Sequence, residues 1–278
     1  MCDFFGYSRQ AYYKEQRNQQ DRACKDQLVI ELVQQERRGN KMLGCRKLYN
    51  KLGDLIRSIT SSLGRDKFFA LLRRVGLLVK RRRKYATTTQ SRHRFKKYDN
   101  IIKDFKTTSS HQVWVGDITY LRTKKGFVYL FLLTDAHSRK IVGWNLSESL
   151  GIEGGLHAAR MALRQCPDPR GLIHHSDRGF QYCSPVYTNK MESMGIKMSM
   201  AEAGNCYENA IAERVNGILK GEYGLDSTYR EINDALAATT QSIKHYNEQR
   251  PHWSLKFKIP SVVHDQLITA EEEKRLAL

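Results

Sequence analysis

Three carboxylates stand where the surrounding residues make a charge costly or conspicuous. Asp117 interrupts a run of β-branched and aromatic residues, Val113-Trp114-Val115-Gly116-Asp117-Ile118-Thr119-Tyr120-Leu121, and strand interiors disfavour Asp. Asp177 follows a short apolar stretch within His174-His175-Ser176-Asp177-Arg178-Gly179. Glu213 sits in a helix-like stretch, Glu208-Asn209-Ala210-Ile211-Ala212-Glu213. Fifty-nine residues separate Asp117 from Asp177, and 35 separate Asp177 from Glu213. If two neighbouring strands bring the aspartates to one edge and a helix lays Glu213 over them, three like charges repel until cations neutralise them. Hard oxygen donors favour Mg²⁺ or Mn²⁺, and two such ions roughly 4 Å apart clamp the attacking and leaving oxygens of a phosphodiester. Taken singly, Asp177 could cap a turn and Glu213 could be a solvated helix residue; Asp117 is the hardest to place that way.

The elements that must position them are legible from periodicity. Residues 113–121, 127–134 and 140–146 read as strands joined by Lys124-Lys125-Gly126 and by Ala136-His137-Ser138-Arg139, an antiparallel meander. A helix is expected over 152–165, closed by Pro167 and Pro169, then a strand at 171–175 and a helix over 184–194. A fifth strand at 196–200 precedes helices over 207–223 and 229–246, the last ending before Pro251. The fold class expected is α/β, a mixed five-stranded sheet with flanking helices, and this order resembles ribonuclease-H-like domains.

Composition separates a second part of the chain. The 278 residues carry a formal charge of +18. Residues 1–98 hold 25 Lys and Arg against 8 Asp and Glu, whereas the remainder is close to neutral. The extreme is Lys80 to Lys97, with nine basic residues and no acidic one, which reads as an extended linker, either a solvated charge run or an arm that tracks phosphates. Its DNA-contact candidates are Arg81, Arg82, Arg83, Lys84, Arg92, Arg94, Lys96 and Lys97. Before it, apolar spacing predicts a helix from Ser8 to Arg38, one over Leu43–Leu52 with a break from Gly53 to Ser62, and one over Arg65–Val75 stopping at Gly76. The last two fit a helix-turn-helix, which the charge tilts toward DNA. The divisions expected are 1–79 (helical, DNA-binding), 80–110 (basic linker), 111–263 (catalytic core) and 264–278 (tail). Six scattered cysteines form no Cys-x-x-Cys pair, which argues against a zinc site and disulfide staples. The longest apolar run is too short to span a membrane and no secretory signal is visible, so a soluble intracellular protein with an anionic partner is expected.

The three carboxylates and their neighbours resemble the D,D-35-E triad of the transposase and retroviral-integrase superfamily. Trp114-x-x-Asp117-Ile118-Thr119-Tyr120, His175-Ser176-Asp177-Arg178-Gly179-x-Gln181-Tyr182 and Glu208-Asn209-Ala210-x-x-Glu213 are similar to the IS3 family of insertion-sequence transposases. So are Leu219-Lys220-x-Glu222 and Tyr246-Asn247-x-x-Arg250-Pro251-His252-x-x-Leu255. The resemblance spans residues 111 to about 263 and extends to the helix-turn-helix region. It implies an enzyme that cuts insertion-sequence ends and joins the freed 3′-hydroxyl to DNA, with Asp117, Asp177 and Glu213 holding two Mg²⁺ ions, Mn²⁺ able to substitute. It implies a basic residue on the DNA backbone at Lys220, which also lies two helical turns after Glu213 on the same face. Asn209 and Arg178 are further candidates for positioning DNA. The partners implied are double-stranded DNA, as terminal repeats and target, and other copies of the chain, at least a dimer. The family's second-frame product is also made fused to an upstream leader, and Met1 close to the helix-turn-helix fits that second frame. A bacterial, cytoplasmic, nucleoid-associated protein is expected.

Departures from the family pattern are Glu208 for Asp, Arg214-Val215 for Ser-Phe, and Phe180 at a usually small polar position. Trp114 is expected to fill the core on the strand face opposite Asp117. His174 and His175 read chiefly as packing or hydrogen-bonding residues, with metal ligation the lesser reading. Two rival functions are a DNA-binding regulator with an inactive transposase core, and a ribonuclease H or repair nuclease on the same fold.

Overall fold

In the computed structural model, residues 8–79, 94–202 and 209–266 are described. The chain divides into two compact units, Met1–Arg81 and Arg82–Leu278. Arg81, Arg82, Arg83, Lys84 and Arg92 of the expected linker lie outside the described residues.

In the first unit, α1 (Arg9–Gly39) opens on Ser8, whose Oγ accepts from the Ala11 amide at 3.1 Å. Only its last third carries a core stripe, Val29 and Val33. Helix α2 (Cys45–Ile59) buries Leu48, Leu52 and Ile56 at i, i+4, i+8, and α3 (Arg65–Arg74) buries Phe68, Leu71 and Leu72. These residues form one cluster. The break expected at Gly53 does not occur: the apolar stripe continues to Ile56, and packing outweighs the roughly 1 kcal/mol helix penalty of one glycine. The α2–α3 turn is thus the short one at residues 60–64, and α3 presents Arg65, Lys67 and Arg73 to solvent.

The second unit is built on a sheet. Strands β1 (Val113–Thr123), β2 (Gly126–Asp135) and β3 (Ile141–Ser147) form the expected antiparallel meander. Next come α4 (Ile152–Leu163), β4 (Ile173–Ser176), α5 (Phe180–Cys183), α6 (Pro185–Glu192) and β5 (Lys197–Met200). Then follow α7 (Ala210–Tyr223), β6 (Thr228–Tyr229) and α8 (Ile232–Gln249). The strand order is β3-β2-β1-β4-β5, with β4 parallel to both β1 and β5. Two expectations are corrected. The helix placed over 184–194 is a shorter one entered through Pro185, which suits a first helical position, with a separate short helix before it. Among the described residues the sheet has six strands, because Thr228 and Tyr229 pair with Arg122 and Thr123, and Tyr229 does not open α8.

Alternation sends β1 side chains to two cores. Trp114 joins Phe131, Leu133 and Val142 under α4 and α6, on the face opposite Asp117 as expected. Leu121, Val128, Leu130 and Leu132 meet Val215, Ile218 and Leu219 of α7 and Ile243 and Tyr246 of α8. The α4 side is so close that a Cβ on Gly143 would stand 2.1 Å from the Ala158 carbonyl oxygen.

Both domain limits expected for the core are too narrow. Tyr98 packs on the α4-side core and Ile102 beside Val113 and Val115. The Met200 amide donates to the Asp99 carbonyl (3.4 Å), and the Ile101 amide to Ser199 Oγ (3.1 Å). Residues 98–102 are therefore part of this unit, not free linker. At the other end His264, assigned to the tail, is buried; its Nδ1 shares a 2.9 Å hydrogen bond with Ser138 Oγ. Along β3, Asn247 Oδ1 accepts from the Ile141 amide (2.9 Å), its Nδ2 donates to the Ile141 carbonyl (3.0 Å), and Gln165 Nε2 donates to the Val142 carbonyl (2.6 Å).

The two C-terminal motifs meet in the structure. Buried Arg250 donates from Nε and Nη2 to both oxygens of Glu222 at 2.7 and 2.8 Å, tying the end of α8 to the end of α7. Removing one partner of a buried pair strands the other charge, typically at about 3–5 kcal/mol. Glu222→Ala should therefore lose about 3 kcal/mol or more in urea unfolding, with most of it recovered in Glu222→Leu/Arg250→Met; a loss below about 1 kcal/mol would contradict the tie.

Candidate active site

Register brings the aspartates together. In the parallel β1–β4 pair, Gly116 stands opposite Ser176, so Asp117 and Asp177 are the next residues on each chain. Strand β4 stops at Ser176 while β1 continues, which opens space beside Asp117. Gly116 is needed there: a Cβ would lie 2.9 Å from the His174 ring. The Gly179 amide donates to Asp177 Oδ1 at 3.0 Å and so holds the turn after β4.

Asp117 Oδ1 accepts from the Ile118 amide (2.9 Å) and Oδ2 from Asn216 Nδ2 (2.6 Å). Its carboxyl is nevertheless pushed up to about 7, chiefly by burial and then by the charge of Asp177, with Glu213 adding to the repulsion. Glu213 lies in the first turn of α7, exposed, within electrostatic reach of Asp117. Farther along α7, the Lys220 ammonium is lowered by burial, an effect opposed by Asp117 and Asp226. The expected face of α7 therefore adjoins the aspartates. Among the described residues, no three His, Cys, Asp or Glu side chains form a ready metal cage. The donor chemistry still suits a hard dication: carboxylate oxygens only, with mutual repulsion that positive charge would relieve.

The other candidates separate. Asn209 is buried, and its Nδ2 donates to the Gly116 carbonyl at 3.2 Å, so it pins the start of α7 to β1. Arg178 is half-buried beside Asp177, and both it and Lys97 act electrostatically on Cys183. The Phe180 and Phe95 rings meet at a tilt with centroids 5.1 Å apart, which brings the end of the basic segment beside α5. Arg94, Lys96 and Lys97 are exposed. Metal ligation by His174 and His175 is not supported. His174 Nε2 shares a 2.6 Å hydrogen bond with Tyr187 Oη, and His175 Nδ1 one of 2.9 Å with Ser199 Oγ. Burial, then His175, pushes His174 down to about 3, a neutral core residue. Sequence reasoning passed over Asn216; its spacing, three after Glu213 and four before Lys220, was the available signal.

Comparison with known proteins matches this region to two models described as "Integrase core domain", over residues 107–206 and 194–260. The chain is 36% identical over 256 residues to an insertion element IS600 uncharacterized 31 kDa protein of Shigella sonnei, covering 91% of this chain and 93% of that one. It is 31% identical over 258 residues to the transposase for insertion sequence element IS629 of Shigella sonnei, covering 90% and 85%. It is 35% identical over 187 residues to transposase InsF for insertion sequence IS3A of Escherichia coli, covering 66% and 65%. The chain belongs to the IS3 family of transposases.

Among solved structures, the transposase superposes on the simian T-cell lymphotropic virus intasome in complex with PP2A regulatory subunit B56 gamma. The TM-score is 0.50 at 15% identity, covering 75% of this chain and 69% of that one, a likeness of fold. Among the transposase's described residues, no helix is long and apolar enough to cross a membrane.

The raised carboxyl predicts a pH signature in the metal-free transposase. An acid whose folded value lies above its unfolded value favours folding when protonated, and that contribution is lost as pH rises from about 4 through about 7. In EDTA, Asp117→Asn should thus melt about 4 °C above the parent at pH 8, with the gap closing by pH 4; an equal gap at both pH values would refute the shift.

Proposed function

We propose that this transposase cleaves phosphodiesters at the ends of its insertion sequence and transfers the freed 3′-hydroxyl to DNA. The observation that carries this reading is the Asp117–Asp177 pair, held side by side by the Gly116–Ser176 register beneath a helix bearing Glu213 and Lys220. Asp117, Asp177 and Glu213 would hold two Mg²⁺ ions, or Mn²⁺ in their place; bound there, the ions supply Lewis-acid activation of the attacking oxygen and stabilisation of the leaving 3′-oxygen. Asn216 orients Asp117 by occupying Oδ2, which leaves the remaining lone pairs to a ligand. Lys220 offers a cation to the phosphate next to the scissile bond. Arg178 and Lys97 add positive charge beside them.

In the first unit, α3 would enter a major groove with Arg65, Lys67 and Arg73, giving register on the terminal repeat. Joining two ends requires both to be held at once, so at least a dimer assembles on DNA. A leader-fused form and a place at the bacterial nucleoid complete this reading.

The test is strand transfer on end-bearing duplex. Asp117→Asn, Asp177→Asn and Glu213→Gln should each lose about a thousandfold or more in cleavage with Mg²⁺, while binding the duplex as the parent does. EDTA should abolish the parent's reaction and Mn²⁺ should restore it. Tight binding without cleavage by any form, under any divalent ion, would make the chain a DNA-binding regulator; end-independent cutting of RNA–DNA hybrids would make it a ribonuclease.

A further inference from the structure

An exposed aromatic surface adjoins the carboxylates on the β1–β2 hairpin. In the antiparallel register Tyr120 stands opposite Tyr129, and Arg122 opposite Phe127. Alternation puts all four side chains on the face of Ile118 and Phe131. Ile118 and Tyr129 are anchored in the α4-side core, and the outer end emerges from it: Tyr120 is 37% exposed and Phe127 55%. The rings meet edge-on, with centroids 5.4 Å apart for Tyr120–Tyr129 and 6.3 Å for Tyr120–Phe127. The Arg122 guanidinium carbon lies 6.0 Å from the Phe127 centroid.

Two features say what covers this surface. It starts three residues along β1 from Asp117, where β1 runs past the end of β4 and Asp177 follows, and the charges of both aspartates reach the Tyr120 hydroxyl. It is also one-signed: Arg122, Lys124 and Lys125 are exposed at the hairpin end, and residues 121–133 contain no acid. Flat rings among cations suit a polyanion with flat faces, a nucleic acid strand. A duplex hides its base faces in the stack, so only unpaired nucleotides can use the rings.

We infer that Tyr120, Phe127 and Tyr129 form a stacking platform for unpaired bases of the DNA strand being cut, with Arg122, Lys124 and Lys125 on its phosphates. The inference rests on the reading that Asp117 and Asp177 act on DNA. It means that the strand is separated locally next to the scissile phosphate, and that hairpin β1–β2 holds the separated nucleotides.

The test needs no catalysis. The full chain, in EDTA, is titrated with an eight-nucleotide thymidine strand and with an abasic strand of the same phosphate number. The parent should bind the thymidine strand about tenfold more tightly. Phe127→Leu and Tyr120→Leu should each remove about fivefold or more of that preference and leave abasic binding unchanged, whereas Phe127→Trp and Tyr120→Phe retain it. Equal binding of both strands by the parent, an unchanged preference in the Leu variants, or a parallel loss on both strands would overturn the platform. Should Tyr120→Leu not fold, the more exposed Phe127 decides by the same measure. A failed cleavage assay with intact base preference would count against the proposed chemistry alone; intact cleavage without base preference would count against the platform alone.

Discussion

The parallel pairing of β1 with β4 is the constraint on which the site depends. It aligns Gly116 with Ser176 and so delivers two carboxylates, separated by 59 residues in the chain, to adjacent positions where β4 ends. Their repulsion, together with burial, holds Asp117 well above the usual carboxylate range. Folding thus builds in an electrostatic cost that a positively charged ligand relieves, the reverse of a site stabilised by its own ion pairs. The neighbouring hydrogen bonds keep the pair from relaxing apart: Asn216 holds Asp117, Gly179 holds Asp177, and Asn209 clamps α7 to β1.

Much of this was legible in the sequence because it is encoded in strong local signals. Alternating β-branched and aromatic residues marked β1 to β3, and an Asp inside such a run was conspicuous for its cost. What escaped detection was set by tertiary context. Gly53 looked like a break, yet a stripe continuing from Leu48 to Ile56 carries the helix through it. Thr228 and Tyr229 are too few to signal a strand, and they become one only because β1 extends past β4 and leaves Arg122 and Thr123 to pair. Residues 98–102 read as linker because their anchors, Ser199 and Met200, are about a hundred positions away. Asn209 and Asn216 show the same limit at the site. Spacing singled out Asn209 and passed over Asn216, because only the fold distinguishes an amide that grips a strand carbonyl from one that grips a carboxylate.

The motif around Tyr246 and Arg250 acquires a physical meaning that spacing did not carry. Arg250 meets Glu222, and Tyr246 Oη donates to the Arg139 carbonyl at 2.9 Å, so these residues fasten α8 to α7 and to the β2–β3 turn. They act by keeping α7 in place. A helix that carries Glu213, Asn216 and Lys220 at successive turns has to be held along its length, because tilting it would move all three together.

The treatment of the sheet's outer strands bears on how copies of this protein gather. Asn247 and Gln165 occupy backbone groups of β3, and the Asp99 carbonyl occupies the amide of Met200 in β5. Polypeptide groups that would otherwise recruit a strand from another molecule are already engaged at both margins. Association by merging sheets is therefore disfavoured along these segments.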